Sequence, residues 1–206
     1  VGPWKDAPMT TDRIEVQRTI PAPPAAIFGV LCDPQGHVAS DSSGMLMSAD
    51  GDAVSAVGDT FVVHMDREAL NDFPLGHYDV TVEIHTFEQD REIAWKIRGQ
   101  IKPPIDHIYG YRLEPADDGA TLVTSYYDWS EIDPVWREAD IFPVIPPEAL
   151  RATLGILART VARRYDQLRA DGLLLVTQTV GPRLLAQTRW AVLRVVTRPG
   201  TAERVA

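Results

Sequence analysis

The sequence is short of several things, and each shortage removes a class of function. A single cysteine, Cys32, stands among 206 residues, so no intrachain disulfide can form and cysteine-rich metal sites are excluded. Its place in the apolar run IFGVLC marks a buried thiol rather than a nucleophile, and a reducing, cytoplasmic setting is the expectation. No window reaches the roughly 18 uninterrupted apolar residues of a membrane span, and VGPWKDAPMTTDRIE lacks the apolar stretch of a secretion signal. Met9 reads as a natural start, with residues 1–11 as a lead-in. Basic charge is scarce: 20 Lys and Arg stand against 29 Asp and Glu, a formal charge of -9, which argues against a nucleic-acid partner because phosphate binding calls for a basic surface. Nucleophile elbow, phosphate loop, dinucleotide fingerprint and His-Glu-x-x-His are all missing. No metal and no cofactor is therefore expected, and no catalytic residue is marked by a motif.

What is present has a clear order. RIEVQRTI sets Ile14, Val16 and Ile20 on one face, broken by Arg18, and is stopped by PAPP, a strand and its end. Pro24 suits a first helical turn, and Ala26, Ile27, Val30 and Leu31 follow at helical spacing. GMLMSA, DTFVVHM, HYDVTVEIHTF, EIAWKI, HIYGYRLEP and ATLVTSYYDW are strand-like runs parted by turn signals such as EQDRE and ADDGA. PPEALRATLGILARTVARRYDQLRA then repeats Leu150, Leu154, Leu157, Val161, Tyr165 and Leu168 every three or four residues, predicting one long amphipathic helix. The pattern predicts an α+β fold of about seven antiparallel strands, two short helices after the first strand and a long C-terminal α-helix.

IPAPPAAIFGVLCDPQGHVASDSSGM, VGDTFVVHM, EIAWKI, YGYRLEPADDGATLVTSYYDW and the helix after DIFPVIPPEAL together resemble the START/Bet v 1-like (SRPBCC) superfamily, including its polyketide cyclase/dehydratase and lipid-transport-like groups. The resemblance implies a helix-grip fold over residues 12–170, in which a curved sheet wraps the last helix and leaves a cavity. It implies a hydrophobic or amphipathic small-molecule ligand, lipid or polyketide-like, held by a carrier or binding protein. Two alternatives are a cyclase or dehydratase that uses cavity Tyr and His as general acid and base, and a protein-interaction module without ligand.

Alternation names the inward side chains. His107, Tyr109, Tyr111 and Leu113 share one face, opposite the charged Arg112 and Glu114; Tyr78, Val80, Val82 and Ile84 form a second inner set, and Ile93, Trp95 and Ile97 a third. In the last strand either Val123, Ser125, Tyr127 and Trp129 or Leu122, Thr124 and Tyr126 face inward. The ligand-binding candidates are His107, Tyr109, Tyr111, Trp95, Tyr78, Tyr127, Trp129 and His37. His37 lies in DPQGHVASDSSGM, where Asp33, His37 and Asp41 recur every four residues. That spacing would align metal ligands on a helix, but Pro34 and Gly36 oppose a long helix, and Asp33 before Pro34 reads as the cap of a short one. His64 and His85 fall on polar faces and are expected at the surface. Two long connections, residues 66–76 and 130–147, read as lids; the second holds Trp136, Ile141, Phe142 and Val144 among four prolines.

Beyond residue 170 the character changes. Five Arg face two acidic residues there, and Val180, Leu184, Thr188, Ala191, Val192 and Val195 recur at helical spacing. Residues 171–206 read as a basic amphipathic extension, docking on the acidic body of its own or another subunit in a homo-oligomer, touching a membrane, or forming a disordered tail.

Overall fold

In β1 (Arg13–Ile20) Ile14 and Val16 turn to the core, while Glu15 and Gln17 stay outside. Pro24 opens α1 (Pro24–Leu31), where its missing N–H removes no hydrogen bond, and Ile27, Phe28, Val30 and Leu31 are buried. Asp33 caps α2 (Pro34–Ser40): its carboxylate accepts the Gln35 N–H at 2.9 Å. The two short helices meet so tightly that a Cβ on Gly36 would stand 1.8 Å from the Val30 carbonyl oxygen. The four-residue rhythm of Asp33, His37 and Asp41 is thus a helix corner, with the first residue as cap and the last just past the helix end.

The structure is a computed structural model that describes residues 12–68 and 74–171. After the helices come β2 (Leu46–Asp50), β3 (Thr60–Asp66), β4 (His77–Glu88), β5 (Glu92–Arg98), β6 (Ile108–Pro115) and β7 (Thr121–Asp128). They form one antiparallel sheet in the order β1-β7-β6-β5-β4-β3-β2, so the first strand pairs with the last, Arg13 opposite Asp128. Register shifts interrupt the pairing between Leu46 and Ser48 and between Ile84 and Thr86; such bulges bend a strand and curve its sheet. The turn signals act through left-handed residues: Asp90 (φ 58°) in the β4–β5 turn, Asp118 (φ 58°) and Gly119 (φ 74°) in the β6–β7 turn.

Residues 130–147 contain a short helix, α3 (Pro134–Glu138), capped by Asp133; the density of prolines hid it from the sequence pattern. In α4 (Pro147–Ala170) Leu150, Leu154, Leu157 and Val161 join the same apolar cluster as Ile14, Val16, Phe28, Val63 and Ile93. Each such side chain contributes about 1.5–3 kcal/mol by leaving water. The architecture is the helix-grip arrangement expected from the resemblance: a curved seven-stranded sheet, two short helices after its first strand and a long helix at its end.

The chain divides into two compact units, residues 1–161 and 162–206. Of the second, residues 162–171 are described: the last turns of α4 and Asp171, whose carboxylate accepts from Gln167 Nε2 at 2.9 Å. The lead-in and, apart from Asp171, the basic extension lie outside the described residues, as does the centre of the 66–76 connection. Among the described residues no helix is long and apolar enough to cross a membrane.

Candidate ligand-binding cavity

A cavity of about 350 Å³ opens between the sheet, the α1–α2 corner and the first turns of α4. Its floor is Val63, Val80, Val82, Trp95, Ile97, Tyr109 and Tyr111; its roof is Val144, Ile145 and Pro146 from the α3–α4 connection, with Ala149, Leu150 and Thr153 of α4; Leu31, His37, Asp41, Ser42 and Ser43 close one side. Cross-strand pairing explains the floor, because directly opposed residues share a face. Trp95 faces Tyr109, Tyr109 faces Tyr127, and Tyr111 faces Ser125. This decides the register left open in β7: Val123, Ser125 and Tyr127 lie inward and Tyr126 outward. Tyr126 instead lies across Gly110, where a Cβ would come within 2.3 Å of its Cζ, and its phenol donates to Glu92 Oε1 at 2.8 Å beneath the Arg13 guanidinium, 4.1 Å from the ring centre.

Four of the eight sequence candidates are on the cavity wall: His37, Trp95, Tyr109 and Tyr111. Their rings are in mutual contact, with His37 edge-on to Trp95 at 4.6 Å and to Phe61 at 4.8 Å, and Trp95 5.9 Å from Tyr111. His37 Nε2 lies 2.8 Å from the Leu31 carbonyl oxygen; that oxygen only accepts, so Nε2 carries the proton and Nδ1 keeps a lone pair. Burial lowers the His37 pKa to about 4, against a smaller opposing pull from the Leu31 bond. Tyr111 bonds to Ser125, yet burial still pushes its phenol up to about 12.

Three further candidates stand behind the wall. His107 is buried, its Nδ1 2.9 Å from the Tyr127 hydroxyl, and Tyr127 in turn shares a hydrogen bond with the Tyr109 phenol. The result is a relay, His107–Tyr127–Tyr109, whose last member reaches the cavity. Burial lowers the His107 pKa to about 4 and raises both phenols well above the ordinary tyrosine value. Trp129 stacks on Phe142 at 6.2 Å, and Phe142 also lies edge-on to His107. So the apolar side chains of the 130–147 connection do cover something: Phe142 the relay, Val144 and Ile145 the cavity. Tyr78, the eighth candidate, lines a second, more open depression with His64 and His77.

The remaining histidines are outside. His64 is exposed between Asp50 at 3.0 Å and Asp79 at 2.7 Å, and these bonds raise its pKa; His77 and His85 are exposed. Among the described residues the group with metal-compatible spacing is Asp66, Glu68 and His77, half-buried to exposed and away from the cavity. Cys32 is buried, and desolvation pushes its thiol up to about 12, which removes it as a nucleophile. Pattern reasoning did not single out Ser42 and Thr153, joined by a 2.8 Å hydroxyl bond between the corner and α4. Small polar residues at a loop and on a helix flank carry no periodic signal.

No family model matches this chain, and no curated protein matches it. Solved structures do. A protein from Chromobacterium violaceum is 19% identical, with 73% of this chain and 96% of that one covered at a TM-score of 0.52. One from Mycobacterium smegmatis is 14% identical, covering 75% and 93% at 0.51. A point mutant of Thalictrum norcoclaurine synthase, solved with a transition-state analogue, is 16% identical, covering 74% and 95% at 0.50. At such identities the likeness is one of fold, and the fold is the helix grip.

Proposed function

We propose that this chain binds a hydrophobic or amphipathic small molecule in the cavity and acts as a carrier or binding protein. The observation that carries the reading is the cavity itself, about 350 Å³ and walled mainly by aliphatic and aromatic side chains, a volume within the usual range for small-molecule sites. A domain with no ligand gains dispersion energy by collapsing such a space, since interiors pack to crystal density. The test is titration with an apolar fluorescent probe. Tyr111→Ala should weaken the probe by about tenfold, the loss of one aromatic contact, with unchanged far-ultraviolet circular dichroism. Unaltered probe affinity overturns the reading.

A second reading, a cyclase- or dehydratase-like enzyme, is favoured by the relay. Tyr109 presents a phenol to the cavity, and His107, neutral at pH 7, stands two hydrogen bonds away. General acid-base catalysis needs little more than such a pair in a shaped site. Under that reading Tyr109→Phe cuts turnover of a true substrate by roughly 100-fold with little change in affinity; under the carrier reading there is no turnover to lose.

A further inference from the structure

The polar end of the cavity is one-sided in charge. Among the described lining residues there is no Lys and no Arg, and the one ionisable carboxyl is that of Asp41. Neither nearby imidazole supplies a cation: His37 commits its Nε2 proton to Leu31, His107 lies behind Tyr109, and burial keeps both neutral at pH 7. The positive end of α4 also points here, but it offers little. Positions 146 and 147 are prolines with no N–H, the Ala149 N–H is bonded to the Pro146 carbonyl at 3.0 Å, and Glu148 places a carboxylate in the first turn. A buried anion would find no cationic partner among the described lining residues.

Asp41, by contrast, has room for a donor. Three donors reach its carboxylate: Ser43 N–H at 2.9 Å, the Ser43 hydroxyl at 2.8 Å from each oxygen, and Leu46 N–H at 3.4 Å. The single hydroxyl proton serves one oxygen at a time, so at least one of about four lone-pair sites stays open. Its charge is already felt at the Tyr111 phenol across the cavity. Resting on the binding-protein reading, we propose that the ligand is an amphiphile whose polar end is a hydrogen-bond donor without negative charge, a hydroxyl or an amine held at Asp41, and that carboxylates and phosphates are rejected.

The test uses the full chain and three probes of equal chain length, decanol, decylamine and decanoate, each titrated below its micelle concentration by displacement of an apolar fluorophore. Decanol and decylamine should displace it, and decanoate should be weaker than decanol by about tenfold or more, the effect of an unpaired buried charge. Asp41→Asn should narrow that gap by raising decanoate affinity, lower decylamine affinity by about tenfold, and leave decanol within about twofold; a thermal melt confirms that the corner is still folded. Decanoate binding as tightly as decanol overturns the proposal, as does an Asp41→Asn protein that folds but keeps the same order and spacing of the three affinities. If none of the three displaces the fluorophore, this inference falls together with the binding-protein reading; if all displace it equally, only this inference falls.

Discussion

His37 and His107 are the residues where burial most plainly opposes charge. Each has its pKa lowered from 6.5 to about 4, chiefly by desolvation. In the unfolded chain both protonate near the ordinary value, so the stability they represent is fully present above pH 6.5 and is lost as pH falls toward 4. Each accounts for roughly 3 kcal/mol over that window. His64 runs the other way: its pairing with Asp50 and Asp79 raises its pKa, so its contribution is present at low pH and lost as pH rises. Urea unfolding of the wild type against His107→Gln across the window from 6.5 to 4 isolates one group. The wild-type midpoint should fall more steeply than the variant's as pH drops; parallel curves would show that His107 is charged in the folded protein. At this scale the sequence was partly legible. Alternation put His107, Tyr109 and Tyr111 on one face, but it counts faces and not depth, so it could not tell Tyr109 on the wall from His107 behind it. For Tyr126 the missing signal was Gly110, whose lack of a side chain makes room for the ring on the outer face.

At the scale of elements, the α1–α2 corner is held by two devices of unequal strength. Asp33 satisfies one orphan amide of α2, so Asp33→Ala should cost about 1 kcal/mol. Gly36 permits the contact itself: a methyl there meets the Val30 carbonyl oxygen at 1.8 Å, and backbone cannot step aside as a flexible side chain can. Gly36→Ala should therefore cost about 3 kcal/mol or more and, by pushing α2 outward, move His37 off the wall and weaken the apolar probe. Chemical unfolding and probe titration of the two variants separate the effects; equal stabilities would refute the contact argument. The helices and strands were readable because proline, glycine and Asp-Gly punctuate them. The α3–α4 connection was readable only as a cover, since its apolar residues repeat with no period and α3 is a single turn between prolines.

For the molecule as a whole, a cavity is packing energy left ungained, and an occupant restores it. A ligand at 100 times its Kd should stabilise the binding unit by about 2.7 kcal/mol, raising the Tm by roughly 5–10 °C for a domain of this size. Differential scanning fluorimetry with decanol checks this, and a Tm independent of ligand concentration would contradict occupancy of the folded state. The number of strands, their antiparallel pairing and the grip of the last helix followed from the periodicities and from the resemblance, whereas the pairing of β1 with β7 carries no local signal; whether sheet and helix close on one another or leave a space depends on side-chain volumes summed over both, which no local window of sequence contains. The sheet order has a further consequence for how the chain comes into being. Arg13 pairs with Asp128, 115 residues later. On the ribosome β1 emerges first and waits for a partner while the hairpins of β2 to β6 assemble from near neighbours. It is joined only when β7 arrives, a long-range closure of the kind that slows folding. Until then two edges, β1 and β6, stand open to strangers, and the charged side chains on the outer face of β1, Arg13 and Glu15, are what discourages them during the wait.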